Sequence, residues 1–491
     1  ISDNTISESS ENGIKIYKSS SNNYLSSNTI SDSDDEDIYI GGSGYQRNNR
    51  GYDNTFSTIE VQNNGQFILM DYVNVRTENS EGNMSGNDVQ AEYNSEIFYA
   101  SEYFSGSDPL TDSFGLVPDF LAPVEEYNGS STPSEILTTI TVRYVDWINL
   151  FEMDASDDTS LSVFVPDLRV KNINTGEESY HIQTSVNNAG QSDTIIVSNG
   201  TYFENVVLNV QKITLRGPHA NQLNEDVIID AQDNGIAVTI SKAEIKLFGF
   251  NITNSHEEED VFTSSAVRVL SNSNTLSFNK VTNSYAGILL EDTSDNTISD
   301  NLIDDVDFGI VLTKADDNQI RYNTILDTEE NDIELTNTGY STGSTGNTIT
   351  HNEEIGIIKI TNSDDNLLVT QDSTTINLVD SANVSAIGST FNFVICNSDS
   401  SLYLKNYFRI NVTRNGTPLE GVDVKVWDGD TTIYSTEYFE GNDDKTDSDG
   451  LVRNILAIYK VYDGSSSGTE NTTYIKLRYG DWFLSESDIF D

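Results

Sequence analysis

The chain has 491 residues, of which 36% are hydrophobic and 10% aromatic, so it is long enough and apolar enough to bury a large core. Its 79 acidic and 26 basic residues give a formal net charge of −53. Such a surface repels nucleic acid and attracts cations, which excludes nucleic acid as a partner. No apolar run reaches the roughly 18–20 residues that span a bilayer, so direct membrane insertion is not expected in this segment.

Residues 1–54 are predicted to be the terminal coils of a β-helix. The stretch "NTISESSENGIKIYKSSSNN" at 4–23 aligns with "NTITHNEEIGIIKITNSDDN" at 347–366, inside a later coil region. Because the chain opens inside a helix, we expect either a window from a longer tandem array or a subunit whose neighbours cover its open end. Exposed end coils carry unpaired backbone groups, which favour strand addition.

Residues 55–160 and 390–491 are predicted to be two copies of one domain. Residues 102–147 align with 437–482 without a gap, since both ends differ by 335. In that alignment 24 of 46 positions are identical, well beyond what a biased composition produces. The sequence therefore predicts a tandem unit of about 335 residues.

Both copies are predicted to be β-sandwiches. Runs such as "YFRINVTR", "VDVKVW" and "TTITVRY" alternate apolar and polar residues, which is typical of strands. Gly and Asp mark the turns, and the turn "TDSFGLV" at 111–117 returns as "TDSDGLV" at 446–452. The pattern "NGTPLEGVDVKVWDGDT…TDSDGLV" resembles the immunoglobulin-like and carboxypeptidase-regulatory-like modules of bacterial and archaeal surface proteins. That resemblance implies immunoglobulin-like β-sandwich domains.

Residues 161–389 are predicted to form a parallel β-helix. Asn274, Asn296 and Asn318 lie 22 residues apart, between short β-branched runs. A period near 22 suits one coil of a solenoid, with Ile, Val and Leu stacked inside. The asparagines are expected to form a ladder in which each side-chain amide bonds to the next coil. The stretch "GYSTGST" is expected to bulge from a longer coil.

The segment "DTIIVSNGTYFENVVLNVQKITLRG" at 193–217, with "IIDAQDNGIAVTI" and the "NTISDN" coils, resembles right-handed β-helix repeats of NosD-like and pectate-lyase-like proteins, the PbH1 type. The resemblance covers roughly 180–390. It implies an all-β fold in which a right-handed parallel β-helix alternates with immunoglobulin-like sandwiches. Copper, which the NosD name suggests, is not expected because the histidines are scattered, at His181, His219, His256 and His351.

Calcium is the one cofactor that the acidic pattern favours. Asp295 and Asp317 are 22 residues apart and are expected to stack on successive coils, where bare carboxylates repel one another. A hard divalent cation with oxygen ligands relieves that repulsion. The loop at 441–450 supplies four more candidate ligands, Asp443, Asp444, Asp447 and Asp449. The alternative is that these carboxylates are simply solvated turns.

Eight Asn-x-Ser/Thr sequons predict glycosylation on an exterior surface. They begin at Asn83, Asn128, Asn199, Asn251, Asn383, Asn411, Asn415 and Asn471.

An enzyme is not expected. The acidic pairs at 304–305, 316–317 and 364–365 could supply a general acid and base. However, the helix is poor in Lys and Arg, and no motif of the polygalacturonase kind is present. A polysaccharide lyase or hydrolase is therefore the third hypothesis only.

The leading hypothesis is a non-enzymatic structural protein of the cell surface. By tandem repetition or self-assembly it would build a filament, sheath or surface layer, with itself as partner. The rival hypothesis is a carbohydrate-binding adhesin that contacts surface glycans. An adhesin is expected to show aromatic side chains along one groove, whereas a structural polymer is expected to show contacts at helix ends or sandwich faces.

Overall fold

The structure is a computed structural model that describes all residues except 81, 156–159, 220–221, 224–225, 256–258, 372–373 and 489–491. It divides into two compact units, Ile1–Leu168 and Arg169–Asp491. In both units a stack of parallel coils precedes an antiparallel module. We call the two antiparallel parts the first module (65–154) and the second module (400–488).

The first unit has a 3-10 helix at Glu102–Phe104, and its described strands follow in chain order. They are Thr5–Ser7, Ile14–Tyr17, Tyr24–Ser26, Thr29–Ser31, Ile38–Gly41, Gln46–Tyr52, Ile59–Val61, Gly65–Asn79, Gly82–Asn83, Asp88–Tyr93, Glu96–Ala100, Phe120–Asn128, Ser134–Glu135, Leu137–Tyr144, Trp147–Asp154 and Ser160–Phe164.

The coils of the first unit are parallel, as the sequence predicts for residues 1–54. Ile14–Tyr17 pairs in parallel with Ile38–Gly41, which pairs with Ile59–Val61. The parallel strands thus extend to Val61, past the predicted boundary. Their inward side chains, with Leu25 and Ile30 among them, form an apolar core, and an asparagine ladder runs beside it through Asn4, Asn28 and Asn54.

The second unit has one α-helix among its described residues, Ile182–Asn188, and a 3-10 helix at Glu437–Phe439. Its described strands are Val170–Asn172, Glu178–Ser179, Thr194–Val197, Gly200–Phe203, Val206–Leu208, Thr214–Arg216, Val227–Asp230, Val238–Ile240, Lys246–Phe248, Asn251–Thr253, Ser265–Val269, Thr275–Ser277, Lys280–Glu291, Thr297–Ser299, Leu302–Thr313, Gln319–Arg321, Thr324–Thr336, Thr348–Thr350, Ile357–Thr361, Leu367–Val369, Thr374–Val379, Val384–Ile387, Phe391–Cys396, Ser401–Asn411, Thr413–Arg414, Thr417–Pro418, Asp423–Asp428, Thr431–Ser435, Leu451–Asp463, Thr469–Glu470, Thr473–Tyr479 and Trp482–Asp488.

The second unit confirms the predicted parallel β-helix. One face is a stack of parallel strands that starts at Thr194–Val197 and ends at Ser401–Asn411. Each rung places Ile, Val or Leu inward, and these side chains form one continuous buried core from Val170 to Tyr462. Burial of apolar surface drives this stacking, at about 25 cal/mol per Å² removed from water.

The predicted asparagine ladder is present and is confirmed. The amide Nδ2 of Asn274 donates to Oδ1 of Asn296 over 3.0 Å, and Asn296 donates in the same way to Asn318 over 3.0 Å. A second ladder, which the sequence did not reveal, starts at Asn279 and Asn301, 3.1 Å apart. Each of these bonds joins buried side-chain amides of successive coils. A buried amide group left without a hydrogen-bond partner would cost about 1–3 kcal/mol.

A short helix covers the first rung of the second unit, although the sequence predicted no helix. Ile182 and Val186 lie in the solenoid core. The carboxylate of Glu204 accepts the free N–H groups of Ile182 and Gln183 at the helix start, over 2.8 and 2.9 Å. A carboxylate at the N-terminus of a helix accepts N–H groups that have no partner within the helix. Its negative charge also interacts favourably with the positive end of the helix dipole.

The two modules have the same elements at a constant offset of 335 residues. Each contains a four-stranded antiparallel sheet. Its strands in spatial order are Glu96–Ala100, Asp88–Tyr93, Leu137–Tyr144 and Trp147–Asp154 in the first module, and Thr431–Ser435, Asp423–Asp428, Thr473–Tyr479 and Trp482–Asp488 in the second. The immunoglobulin-like class of these modules stays a prediction.

The repeated turn has a physical cause. Asp112 Oδ1 accepts the backbone N–H groups of Phe114 and Leu116, and Asp447 accepts those of Asp449 and Leu451 in the second module. The glycine of each turn has a positive φ, 75° at Gly115 and 71° at Gly450. A Cβ at either position would lie within 2.3 Å of a backbone oxygen, so only glycine fits.

Candidate functional site

Three long strands of the second unit turn a corner of the solenoid and create its most chemically varied surface. They are Lys280–Glu291, Leu302–Thr313 and Thr324–Thr336, paired in parallel. Each turns at a residue with positive φ, namely Asn283, Asp305 and Asp327. Side chains just after the corner therefore stack outside the core on successive rungs, because parallel register keeps equivalent positions adjacent.

An apolar patch lies on this outer face. Ala286, Leu289 and Val311 are buried although they point away from the solenoid core, because Val261, Phe262 and Phe308 pack over them. The ring of Tyr285 meets that of Phe308 at 67°, with centroids 5.4 Å apart. Such edge-to-face pairs are favourable and leave part of each ring open to a ligand.

Two insertions form walls beside the patch. Arg268 Nε donates to Glu291 Oε2 over 2.7 Å, and its Nη1 donates to the carbonyl of Phe262 in the first insertion over 2.8 Å. Tyr340, in the second insertion, donates its hydroxyl to Glu291 Oε1 over 2.8 Å. Glu291 is only 9% exposed and thus ties both insertions to the sheet through charge-assisted bonds.

The resulting groove is acidic. A cleft of about 210 Å³ is lined by the rings of Tyr285 and Phe308 and by the carboxylates of Glu259, Asp260 and Glu334. Tyr285 also lines an adjoining depression of about 470 Å³, whose other acidic side chains are Asp305, Asp307, Asp327 and Glu329. Burial, and then the negative charges of Asp307, Glu259, Glu330 and Glu334, raise the pKa of Tyr285 above its usual value. This hydroxyl therefore stays protonated and can donate a hydrogen bond.

This arrangement can stack a sugar ring on an aromatic face and accept hydrogen bonds from hydroxyl or amino groups. It disfavours anionic ligands, because the carboxylates repel them. Glu334 is restrained by Lys359, whose Nζ lies 3.3 Å from Oε1, and by Asn331, which donates to Oε2 over 2.9 Å. Asp260 accepts the backbone N–H of Phe262 over 2.9 Å.

The sequence analysis missed this groove, although the acidic pair at 304–305 includes Asp305, which lines the depression beside it. A usable signal was present, because coils that carry an insertion are longer than the others. The ladder spacing is 29 residues between Asn318 and Asn347 instead of 22. The bond from Ile245 N–H to Asn274 also spans 29 residues. The two 29-residue coils lie on either side of coils of 22 residues, and each of the longer coils carries one insertion.

The predicted calcium ligands on the solenoid do stack. A parallel backbone β-bridge between Ser294 and Asp316 places Asp295 and Asp317 at equivalent positions of adjacent rungs. Asp295 and Asp317 both have a positive φ. Ser294 donates its hydroxyl to Asp295 over 3.0 Å. Calcium at this pair stays a prediction.

The predicted ligands in the second module mostly serve the turn. Asp443 accepts the N–H of Ser435 over 2.6 Å. Arg453 lies 3.5 Å from Asp447 Oδ2 and 3.3 Å from Asp449 Oδ2. The backbone N–H of Leu451 is the main cause of a lowered pKa at Asp447. The carbonyl of Asp444 accepts the hydroxyl of Tyr434. Calcium at 443–449 likewise stays a prediction.

Six of the eight predicted glycosylation sites are exposed, and two are half-buried. Asn471 donates its amide to the carbonyl of Ile458 over 2.9 Å, and the amide oxygen of Asn251 is buried. The exposed asparagines are Asn83, Asn128, Asn199, Asn383, Asn411 and Asn415. Glycosylation at these positions stays a prediction.

These features define a parallel β-solenoid protein with a walled lateral groove. Residues 186–443 match the family model "Periplasmic copper-binding protein (NosD)". The match covers more than half of the chain, which therefore belongs to the NosD family. No curated protein matches the chain in sequence. No helix in the described residues is long and apolar enough to cross a bilayer.

The copper named in the family description does not fit the described residues. His351 Nδ1 is hydrogen-bonded to Thr350 over 2.6 Å and its ring packs on Tyr322, while His181 lies 3.9 Å from Glu204. His256 lies outside the described residues. Across the described ranges, no group of three or more His, Cys, Asp or Glu side chains is placed to hold a metal ion.

Several solved structures are similar in fold. An alginate lyase from Paenibacillus sp. shares 14% identity, covers 43% of this chain and 92% of its own, and has a TM-score of 0.33. The catalytic domain of a GH87 alpha-1,3-glucanase shares 11% identity over 70% and 77%, with a TM-score of 0.33. A pectin methylesterase from Yersinia enterocolitica shares 12% identity over 43% and 90%, with a TM-score of 0.27.

These neighbours correct one prediction. The sequence analysis expected no enzyme, but the similar structures are an alginate lyase, a glucanase and a pectin methylesterase. The lack of a familiar catalytic motif therefore does not exclude activity on this fold.

Proposed function

We propose that this chain is a structural protein of the cell exterior, in which solenoid and module alternate. The observation that carries the proposal is the junction within each unit. Strand Gly65–Asn79 pairs in parallel with Gln46–Tyr52 of the last coil and continues as an antiparallel partner of Phe120–Asn128. In the second unit, Ser401–Asn411 joins Val384–Ile387 to Leu451–Asp463 in the same way.

A continuous strand makes a stiff joint. No flexible linker separates solenoid from module within either unit, and the hydrogen-bonded sheet passes directly from one to the other. Bending this joint would break ladder hydrogen bonds and expose core side chains. A joint that recurs with the same construction suits a protein whose role is to keep an extended structure stiff. The partner of such a repeat is another copy of itself.

Electron microscopy of the native material, with and without a calcium chelator, tests the structural role. We expect continuous fibres or sheets whose repeat corresponds to one 335-residue unit. Loss of order in chelator would assign calcium to the acidic turns. Isolated particles under both conditions would overturn the structural role.

A second candidate function is glycan binding in the lateral groove, favoured by the aromatic pair Tyr285 and Phe308 beside the carboxylates that line the groove. The charge of the groove favours a neutral glycan or one that carries amino sugars over a uronate polymer. This role is compatible with a structural one, since a surface polymer can also hold a polysaccharide.

Binding assays with neutral, amino-sugar and uronate polysaccharides test this second function, and product analysis of the same mixtures reads any cleavage. We expect Tyr285→Ala to weaken glycan binding by roughly tenfold, as loss of a stacking face should. Phe393→Ala is the matched control, because Phe393 is 69% exposed and does not line the groove. Equal glycan binding by the unmodified chain, Tyr285→Ala and Phe393→Ala would contradict glycan binding in the groove. Binding of uronate polysaccharides alone would also contradict it.

A further inference from the structure

The four-stranded sheet of the second module turns one face away from the module core. Val426 packs into that core, so Lys425 and Trp427 on either side of it point outward. The neighbouring strand places Lys476 opposite Lys425 and Tyr474 opposite Trp427. We call these four outward residues the second face.

The second face is basic and aromatic, although the whole chain has a net charge of −53. The rings of Trp427 and Tyr474 are nearly parallel, at 16°, with centroids 5.5 Å apart. Lys425 lies over the ring of Trp427, with Nζ 5.9 Å from its centroid. Among the described residues, neither Lys425 nor Lys476 is in an ion pair. Both ammonium groups are thus available to an acidic partner.

The equivalent face of the first module is acidic and aliphatic. Glu92 and Glu152 are both register partners of Thr139, so they lie on the same side of the sheet. Ile148 and Leu150 alternate along the strand with Glu152 on that side, and they are 50% and 64% exposed. Neither glutamate is in an ion pair within the described part of the chain. We call Glu92, Ile148, Leu150 and Glu152 the first face.

The other charges beside the two faces do not remove this difference. Arg143 pairs with Asp88 in the first module, and Arg478 pairs with Asp423 in the second. Lys445 also lies 3.1 Å from Asp423 and adds a positive charge beside the second face. The first face therefore carries two unpaired carboxylates, and the second carries two unpaired ammonium groups. Opposite charges around exposed apolar side chains are the pattern of complementary interfaces.

We propose that the second face of one copy of this chain binds the first face of another copy. The lysines of the second face would meet the glutamates of the first, and its aromatic rings would cover Ile148 and Leu150. Because the contact joins two different faces, each bound pair keeps one free face of each kind, and association continues as an open chain. An anionic glycan could also neutralise the lysines, but it would leave the exposed Ile148 and Leu150 uncovered. This contact rests on the proposed structural role for its biological use.

The size of the faces predicts a weak contact. Four strands about 4.8 Å apart, each roughly seven residues long, cover an area of roughly 20 by 23 Å. The two faces together would bury roughly 900 Å², which is typical of weak or transient contacts. We therefore expect micromolar affinity for a single contact. At an ionic strength of about 0.15 M the Debye length is about 8 Å, so the repulsion between distant acidic residues is screened while facing charges still attract.

Sedimentation velocity of the purified full chain at micromolar concentrations tests the contact, with a calcium chelator present to exclude metal-mediated association. We expect reversible oligomers that grow with concentration. Association should also shift the tryptophan fluorescence to the blue, and this shift should be absent in Trp427→Phe. A chain that stays monomeric would overturn the proposal. A monomeric chain that binds a uronate polysaccharide, with binding lost in Trp427→Ala, would assign the second face to a glycan instead.

Charge reversal identifies the two faces separately. Lys425→Glu with Lys476→Glu changes the second face, and Glu92→Lys with Glu152→Lys changes the first. We expect each double variant alone to associate about tenfold more weakly or less. An equimolar mixture should recover association, because the unchanged first face of one variant meets the unchanged second face of the other. Both variants keep a large negative net charge, so general attraction would not explain the recovery. Recovery also shows that both variants fold.

The matched control is Lys15→Glu with Lys18→Glu, which makes the same change in net charge at exposed residues outside both faces. It should leave association unchanged. An equal loss in this control would overturn the contact. Association that is lost in the second-face variant but kept in the first-face variant would overturn the proposed occupant, since the second face would then bind another surface.

The apolar centre of the contact has its own test. Leu150→Asn removes an exposed side chain of the first face, so we expect association to weaken by about tenfold with little effect on folding. Phe393→Ala is the control, because Phe393 is 69% exposed and belongs to neither face. An equal effect of both substitutions would contradict burial of Leu150 in the contact.

The two proposals can fail separately. Association of the purified chain through these faces, without native fibres, would leave the contact standing and remove the structural role. Native fibres, together with association that none of these variants changes, would do the reverse.

Discussion

The two modules share 24 of 46 aligned residues and the same strand order in their four-stranded sheets, yet their equivalent tryptophans differ in exposure. Trp147 of the first module is 8% exposed, and Trp482 of the second module is 50% exposed. In the first module a further strand, Ser160–Phe164, pairs with Asn74–Glu78. Sequence identity between the modules therefore does not by itself decide which of their side chains are exposed.

Other parts of the modules agree closely. In the first, Arg143 pairs with Asp88 over 3.1 Å and stacks on Tyr103. In the second, Arg478 lies 3.5 Å from Asp423 and stacks on Tyr438. Comparing equivalent substitutions in the two modules consequently separates the effect of local surroundings from that of the shared fold.

The largest expected difference concerns the two tryptophans. Trp147→Ala should cost about 3–5 kcal/mol in the free energy of unfolding of the first module, because it leaves a cavity in a closed core. Trp482→Ala should cost about 1 kcal/mol or less, because half of that side chain is already exposed. Urea unfolding followed by segment-resolved amide exchange measures each module separately. Equal costs would show that the difference in exposure between the two tryptophans does not affect stability.

A pH experiment should show the modules behaving alike. Burial, with the charges of nearby aspartates, raises the pKa of Tyr99 and of its equivalent Tyr434 from 10.0 to about 12. The unfolded chain loses these protons at lower pH than the folded chain does. The stabilisation is therefore fully present below pH 10 and is lost as the pH rises from 10 towards 12. Tyr99→Phe and Tyr434→Phe should each reduce the decline in stability above pH 10 in their own module, measured by urea unfolding. A decline unaffected by either change would contradict the prediction.

The smallest expected effect comes from a charge found only in the second module. Lys445 lies 3.1 Å from Asp423, and the equivalent residue of the first module is Leu110. Lys445→Leu should change stability by about 0–1 kcal/mol, because the lysine is 42% exposed and Arg478 still pairs with the same carboxylate. It should also reduce the salt dependence of unfolding. A loss above about 2 kcal/mol would mean that this ion pair is structural.

The sequence alone could not predict the candidate groove, because its residues come together only on folding. Tyr285 and Phe308 lie 23 residues apart and read as ordinary strand residues. They meet because parallel register places them on adjacent rungs just after a corner. The two insertions that enclose them are far apart in the chain, and their connection through Arg268 and Glu291 is visible only after folding.

Local pattern determined much of this protein. The 22-residue period fixed the parallel coils and the asparagine ladder, because a solenoid repeats the same contacts at each rung. The offset of 335 residues identified the two modules, and the motif Asp-x-x-Gly predicted the turn that they share. What only the tertiary structure decided was which surfaces remain open. The lateral groove and the different exposures of Trp147 and Trp482 depend on contacts between distant segments, because a side chain is buried by neighbours that lie elsewhere in the sequence.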